Sequence, residues 1–183
     1  KKDKHAHHDH KIEDKKDEHN HDGFDPHVWL DPILVKIQAK NIYEAVVKVD
    51  EANSDFYKVN YEAFIKELDE LDSKIATILA PHKGKAFMVF HPSWGYFAQR
   101  YNLEQIAIEI QGKEPKPNEL IELIGETKKH DIKVLFVSNQ FSQTSAKTIS
   151  KNLNANVVTL DPLSQDFTNE ILKTANEIAR SYQ

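Results

Sequence analysis

The chain has 183 residues, with 24 Lys+Arg against 29 Asp+Glu and a formal charge of −5 with histidine neutral. That length suits one domain or two small lobes sharing a linker, and an acidic chain with no basic stripe argues against nucleic acid as the main partner. Cysteine is absent, which removes thiol catalysis, disulfides and Cys-based zinc sites, and the longest apolar runs are too short to span a bilayer. The chain opens at Lys1, without Met or a signal peptide, so a processed or partial chain is expected.

Ten histidines are the outlier. Six of them (His5, His7, His8, His10, His19 and His21) fall in residues 1–22, with six Lys and seven Asp or Glu. Only Ala6 and Ile12 are apolar there, too little to bury a core, so 1–22 is expected to be a disordered loop. Neutral imidazole is a good ligand for Zn, Cu and Ni, and the stretch reads as a metal-collecting arm with secondary, weak sites. A solvated charged loop and a purification tag are the plainer readings.

Asp31-Pro32 reads as an N-cap and first helical position, opening a helix to about Val49. Its apolar residues Ile33, Leu34, Ile37, Ile42, Val46 and Val49 roughly follow the helical period. Asn53-Ser54 caps a second helix whose apolar stripe runs from Phe56 through Leu68, Leu71 and Ile75 to Leu79. It ends at Pro81 after some 26 residues, about 40 Å at 1.5 Å per residue. Such a helix can run along a whole domain or join two lobes.

From Lys85 the rhythm changes. Residues 86–90, 105–110, 134–137 and 157–160 are short apolar strands, with helical patterns over 96–101, 117–129, 142–152 and 166–182. The alternation implies an α/β fold with a parallel sheet and helices on both faces. In such sheets ligands bind beyond the carboxyl ends of the strands.

Two chemistry-bearing residues lie at those ends. His91 directly follows the first strand, and Asp161 directly follows the fourth. If the two strands are near one another, a His and a carboxylate converge, which suits Zn2+ or Mn2+. Alternatively His91 is an ordinary loop imidazole and Asp161 caps the turn at Pro162. His27 sits between Pro26 and Pro32 just before the first long helix and is the third candidate. His82 and His130 read as surface histidines.

In this order, His27 in DPHVWLDP, His91 in HPSWGYFAQRYNL and Asp161 in VTLDPL resemble the metal-binding solute-binding proteins of bacterial zinc and manganese ABC importers. The charged His-rich stretch ahead of DPHVWLDP is similar to the loop of the zinc-specific branch. The resemblance implies a long spine helix at 53–82, the end of an N-terminal lobe at 23–52 and a C-terminal α/β lobe with a four-stranded parallel sheet at 83–183. It implies metal ligands His27, His91 and Asp161, and a further His ligand upstream that no residue here matches. A His at position 91, rather than a carboxylate, is similar to the zinc-preferring members.

The expected activity is therefore capture of zinc and its delivery to the membrane permease of an ABC importer, in a periplasmic or extracytoplasmic setting, with lipid anchoring included. Imidazole ligands must be deprotonated to bind metal, so affinity is expected to fall in acid. Alternatives are a manganese carrier, a surface adhesin-type interaction protein, and a zinc hydrolase using Glu109 or Glu114 as general base. The hydrolase lacks an HExxH or comparable spacing, so no enzyme is expected. Ser138-Asn139-Gln140, after the third strand, receives no role.

Overall fold

The structure is a computed structural model describing residues 24–110 and 112–183. The His-rich stretch, with its six candidate histidines, lies outside the described residues.

Helix α1 spans Pro32–Val49. The Asp31 side chain accepts from the backbone N–H groups of Ile33 and Leu34, satisfying two donors that a helix start leaves without partners. Helix α2 runs Ser54–Leu79, and Pro81 follows within a single 3-10 turn over Ala80–His82. Then come β1 (Ala86–Val89), α3 (Gly95–Arg100), β2 (Glu104–Ala107), α4 (Pro117–Lys129), β3 (Val134–Ser138), α5 (Gln143–Leu153), β4 (Asn156–Leu160) and α6 (Phe167–Arg180).

The four strands form one parallel sheet in the order β2-β1-β3-β4. The long helix followed by a helix-flanked parallel sheet is the architecture expected from the sequence. The second strand is shorter than its apolar pattern suggests: it ends at Ala107, and Ile110 sits in an isolated antiparallel bridge with Lys113.

Strand side chains alternate between faces, and the core divides accordingly. Phe87, Val89 and Phe136 pack with Leu71, Ile75 and Leu79 of α2 and Ile171, Ala175 and Ile178 of α6. Met88, Phe90, Leu135 and Val137 face the other way, onto Leu123 of α4 and Ala146, Ile149 and Leu153 of α5. Burial on both faces is why the strands read as continuous apolar runs rather than alternating ones.

Only the carboxyl-terminal half of α2 enters this core. Its amino-terminal half packs on α1, and Phe56 and Val59 are exposed, as are Ile37, Ile42 and Val49 on α1. Val35, outside the predicted stripe, is the buried aliphatic residue of α1. Between the two helices Ala39, Ile42, Tyr43, Val46, Tyr57, Tyr61 and Phe64 line an open apolar groove of about 330 Å³. Among the described residues no helix is long and apolar enough to cross a membrane.

Candidate metal centre

The site lies at the carboxyl edge of the sheet. A small recess there, with about 10 Å³ of space for a water-sized occupant, is lined by His91, Ser93, Trp94, Ser138 and Leu160, among others. His91 enters it because the chain turns sharply after β1: the Ser93 N–H donates to the His91 carbonyl at 2.8 Å. The Trp94 N–H then donates to the Gln105 side-chain oxygen at 2.6 Å, tying the turn to β2.

His27 reaches the same edge from the segment ahead of α1. Asp25 organises its turn, accepting from the His27 backbone N–H at 2.9 Å and lying 2.6 Å from the His27 Nδ1. Asp31 anchors the far side of the segment. It is 3 % exposed, and the Nε–H of Arg100, on α3, is shared between its two oxygens at 3.1 and 3.0 Å, with Arg100 Nη2 at 2.9 Å from Oδ2. The hydrogen bond to Asp31 raises the Arg100 pKa above its ordinary value.

The imidazoles of His27 and His91 lie with ring centroids 5.4 Å apart, at 78° to one another. Trp29 borders the His27 ring at 5.3 Å, and Phe141 stacks on His91 at 4.6 Å. Each Nδ1 is occupied by a carboxylate, Asp25 for His27 and Glu109 for His91, both at 2.6 Å. A ring whose Nδ1–H is donated carries its lone pair on Nε2, the form a metal accepts.

Asp161 is placed differently. Strand β3 separates β1 from β4, so the two strands carrying His91 and Asp161 are not neighbours. Asp161 Oδ1 accepts from the Leu163 backbone N–H at 3.1 Å and from Gln140 Nε2 at 3.2 Å, while its own N–H donates to Glu170. The first contact is the turn-capping role weighed from the sequence. Gln140, from the loop after β3, adds a side-chain contact to Asp161 beyond the β3–β4 ladder, which ends at Ser138 and Leu160. The Asp161 turn is joined to the His27 segment through the Trp29 indole, whose Nε1–H donates to the Pro162 carbonyl at 2.9 Å.

The structure thus brings His27 and His91 together and sets Asp161 one hydrogen-bonded turn away. Among the described residues no group of three or more His, Cys, Asp or Glu side chains is gathered closely enough to hold a metal ion. Of the two bases considered for a hydrolase, Glu114 is exposed and Glu109 is engaged by His91. His82 and His130, expected on the surface, are half-buried: His82 packs against Tyr182 with centroids 5.0 Å apart, and His130 Nε2 lies 3.1 Å from Glu126.

With this geometry in place, comparison with known proteins is decisive for the family. Residues 1–180 match the family described as zinc-uptake complex component A, periplasmic (ZnuA). The chain belongs to it. A zinc-binding protein AdcA of Streptococcus pyogenes is 32 % identical over 182 residues, covering 94 % of this chain and 35 % of that protein. A solved structure described as ZnuA is 42 % identical with a TM-score of 0.83, covering 87 % of this chain and 62 % of that one. The laminin-binding protein Lmb of Streptococcus agalactiae, described as bifunctional with adhesin and metal transporting activity, is 26 % identical with a TM-score of 0.80, over 87 % of this chain and 65 % of that one. The chain therefore spans about a third of the AdcA relative and under two thirds of the ZnuA structure.

Proposed function

We propose that this chain captures zinc between His27, His91 and Asp161 and hands it to the membrane permease of an ABC importer. The observation that carries the reading is the His27–His91 pair, with ring centroids 5.4 Å apart and each Nδ1 engaged by a carboxylate. Both Nε2 atoms are then left as ligands. Two neutral imidazoles with one carboxylate suit tetrahedral zinc and leave one position for a further ligand. The carboxylate offsets part of the ion's charge. The chemistry is binding and release, with no covalent step.

Zinc is favoured over manganese because imidazole outnumbers oxygen in this set, and manganese prefers oxygen-rich shells. The domain reading belongs with this one: residues 23–52 close a first lobe, 53–82 link it, and 83–183 form the second lobe. The setting is extracytoplasmic, lipid anchoring being its finer form. The His-rich stretch adds weak zinc sites to the same chain and so raises the local zinc concentration. An adhesin-type role is the second reading, favoured by the description of the Lmb relative.

Chelator-competed titrations test the zinc reading. His27→Ala, His91→Ala and Asp161→Ala should each weaken the tightest zinc site at least tenfold, about 1.4 kcal/mol, and manganese should bind more weakly than zinc. Unchanged affinity in a variant removes that residue from the site.

A further inference from the structure

Glu109 is a buried carboxylate that the binding reading uses only as the group against the His91 Nδ1, not as a ligand. It is 9 % exposed and follows β2 by two residues. Strands β1 and β2 pair with a constant offset of 18 residues, as in Ala86 with Glu104 and Val89 with Ala107. The ladder continues past both strand ends: Ile108 N–H donates to the Val89 carbonyl and Glu109 N–H to the Phe90 carbonyl, each at 2.9 Å. The same offset sets Glu109 across from His91, where its Oε2 lies 2.6 Å from the His91 Nδ1.

A buried carboxyl group is costly without hydrogen-bond partners. Among the described residues the side-chain partner of Glu109 is the His91 ring. Phe141 covers one face of that ring and His27 meets its edge, so tilt is limited by packing and rotation by Glu109.

We propose that Glu109 is a positioning residue for the metal site: by accepting the Nδ1–H of His91 it fixes the Nε2 lone-pair tautomer and aims that nitrogen into the recess. Carboxylates behind metal-bound imidazoles commonly act in this way, and losing one costs roughly tenfold to a hundredfold in metal affinity. The proposal rests on the zinc reading for its consequence and on the observed contact for its geometry.

The test combines two readouts on the full chain. Long-range 1H–15N spectra of the metal-free protein at pH 8 report which nitrogen of His91 carries the proton, and chelator competition reports zinc affinity. Wild type should show His91 protonated at Nδ1. Glu109→Ala should mix the tautomers and weaken zinc roughly tenfold to a hundredfold, while Glu109→Gln, which keeps an acceptor oxygen, should hold the tautomer and recover affinity to within about fivefold of wild type. If Glu109→Ala does not fold, Glu109→Gln decides: a hundredfold loss with the tautomer intact would mean that the carboxylate touches the metal itself, overturning a positioning role. Wild-type affinity and tautomer in Glu109→Ala would overturn it too. Failure of the zinc reading would appear separately, as wild-type affinity in His91→Ala, and leaves the metal-free tautomer measurement standing.

Discussion

Trp29 and Pro162 are 133 residues apart in the chain, yet the Trp29 indole Nε1–H donates to the Pro162 carbonyl oxygen at 2.9 Å. This bond joins the segment carrying His27 to the turn carrying Asp161. Those two residues come from opposite ends of the described chain, and no strand pairing connects them. Trp29→Phe keeps most of the ring and removes the donor. A neutral hydrogen bond contributes about 1 kcal/mol, so zinc affinity should fall about fivefold. In an Asp161→Ala background the same substitution should cost much less, because the bond acts by placing Asp161. Equal losses in both backgrounds, in chelator-competed titrations, would mean that Trp29 does not act through that turn.

The clamp between Arg100 and Asp31 is a second place where local chemistry serves the site. Asp31 caps α1 and is buried, and Arg100 forks onto its carboxylate from α3. Arg100→Met keeps much of the aliphatic stem and leaves that carboxylate with only the helix N–H groups. Hydrogen bonds to charged groups contribute about 2 kcal/mol, so urea unfolding should show a loss of about that size. Asp31→Asn, which keeps a cap but weakens the ion pair, should lose less. A midpoint unchanged in Arg100→Met would place the stability of this corner in the cap alone.

Acid should weaken the folded state partly through His82. Burial, with a smaller contribution from the Lys85 charge, lowers the His82 pKa below its ordinary 6.5. The neutral ring packed on Tyr182 is therefore the form the fold prefers. Well above pH 6.5 the ring is neutral in both folded and unfolded chains. As pH falls below 6.5 the unfolded chain takes up the proton first, so stability drops until the folded ring also titrates. His82→Phe should be less pH-sensitive over that window. Parallel stability profiles between pH 7.5 and 5 for the two proteins would contradict this.

Deleting residues 1–22 tests the collecting role of the six histidines there. The total zinc bound per chain should fall, while the tightest site changes little, because its proposed ligands all lie beyond residue 22. Calorimetric titration reads both quantities. Loss of the tight site in the deletion would mean that this stretch supplies a ligand.

Much of the fold was legible because its signals are local. Asp31-Pro32 marks the start of α1, Pro81 follows the end of α2, and four apolar runs separated by helical patterns mark a parallel sheet. His27 and His91 could be found from their motifs, and the structure sets them side by side. Other features depend on pairing that no local pattern encodes. Glu109 meets His91 only through the β1–β2 register, so from the sequence it could be considered as a general base but not as the ring's partner. Gln140 matters because β3 lies between β1 and β4, a strand order the linear pattern leaves open. The exposed Ile37 and Ile42 show the opposite limit: helical periodicity identifies an apolar stripe but not what covers it.

X-ray absorption at the zinc edge tests the central claim most directly. With one equivalent of zinc, the full chain should show a low-coordinate shell containing imidazole nitrogens. His27→Ala and His91→Ala should each lower the imidazole contribution by one ligand. An imidazole count unchanged in both variants would contradict the account, because the zinc would then be held away from the His27–His91 pair.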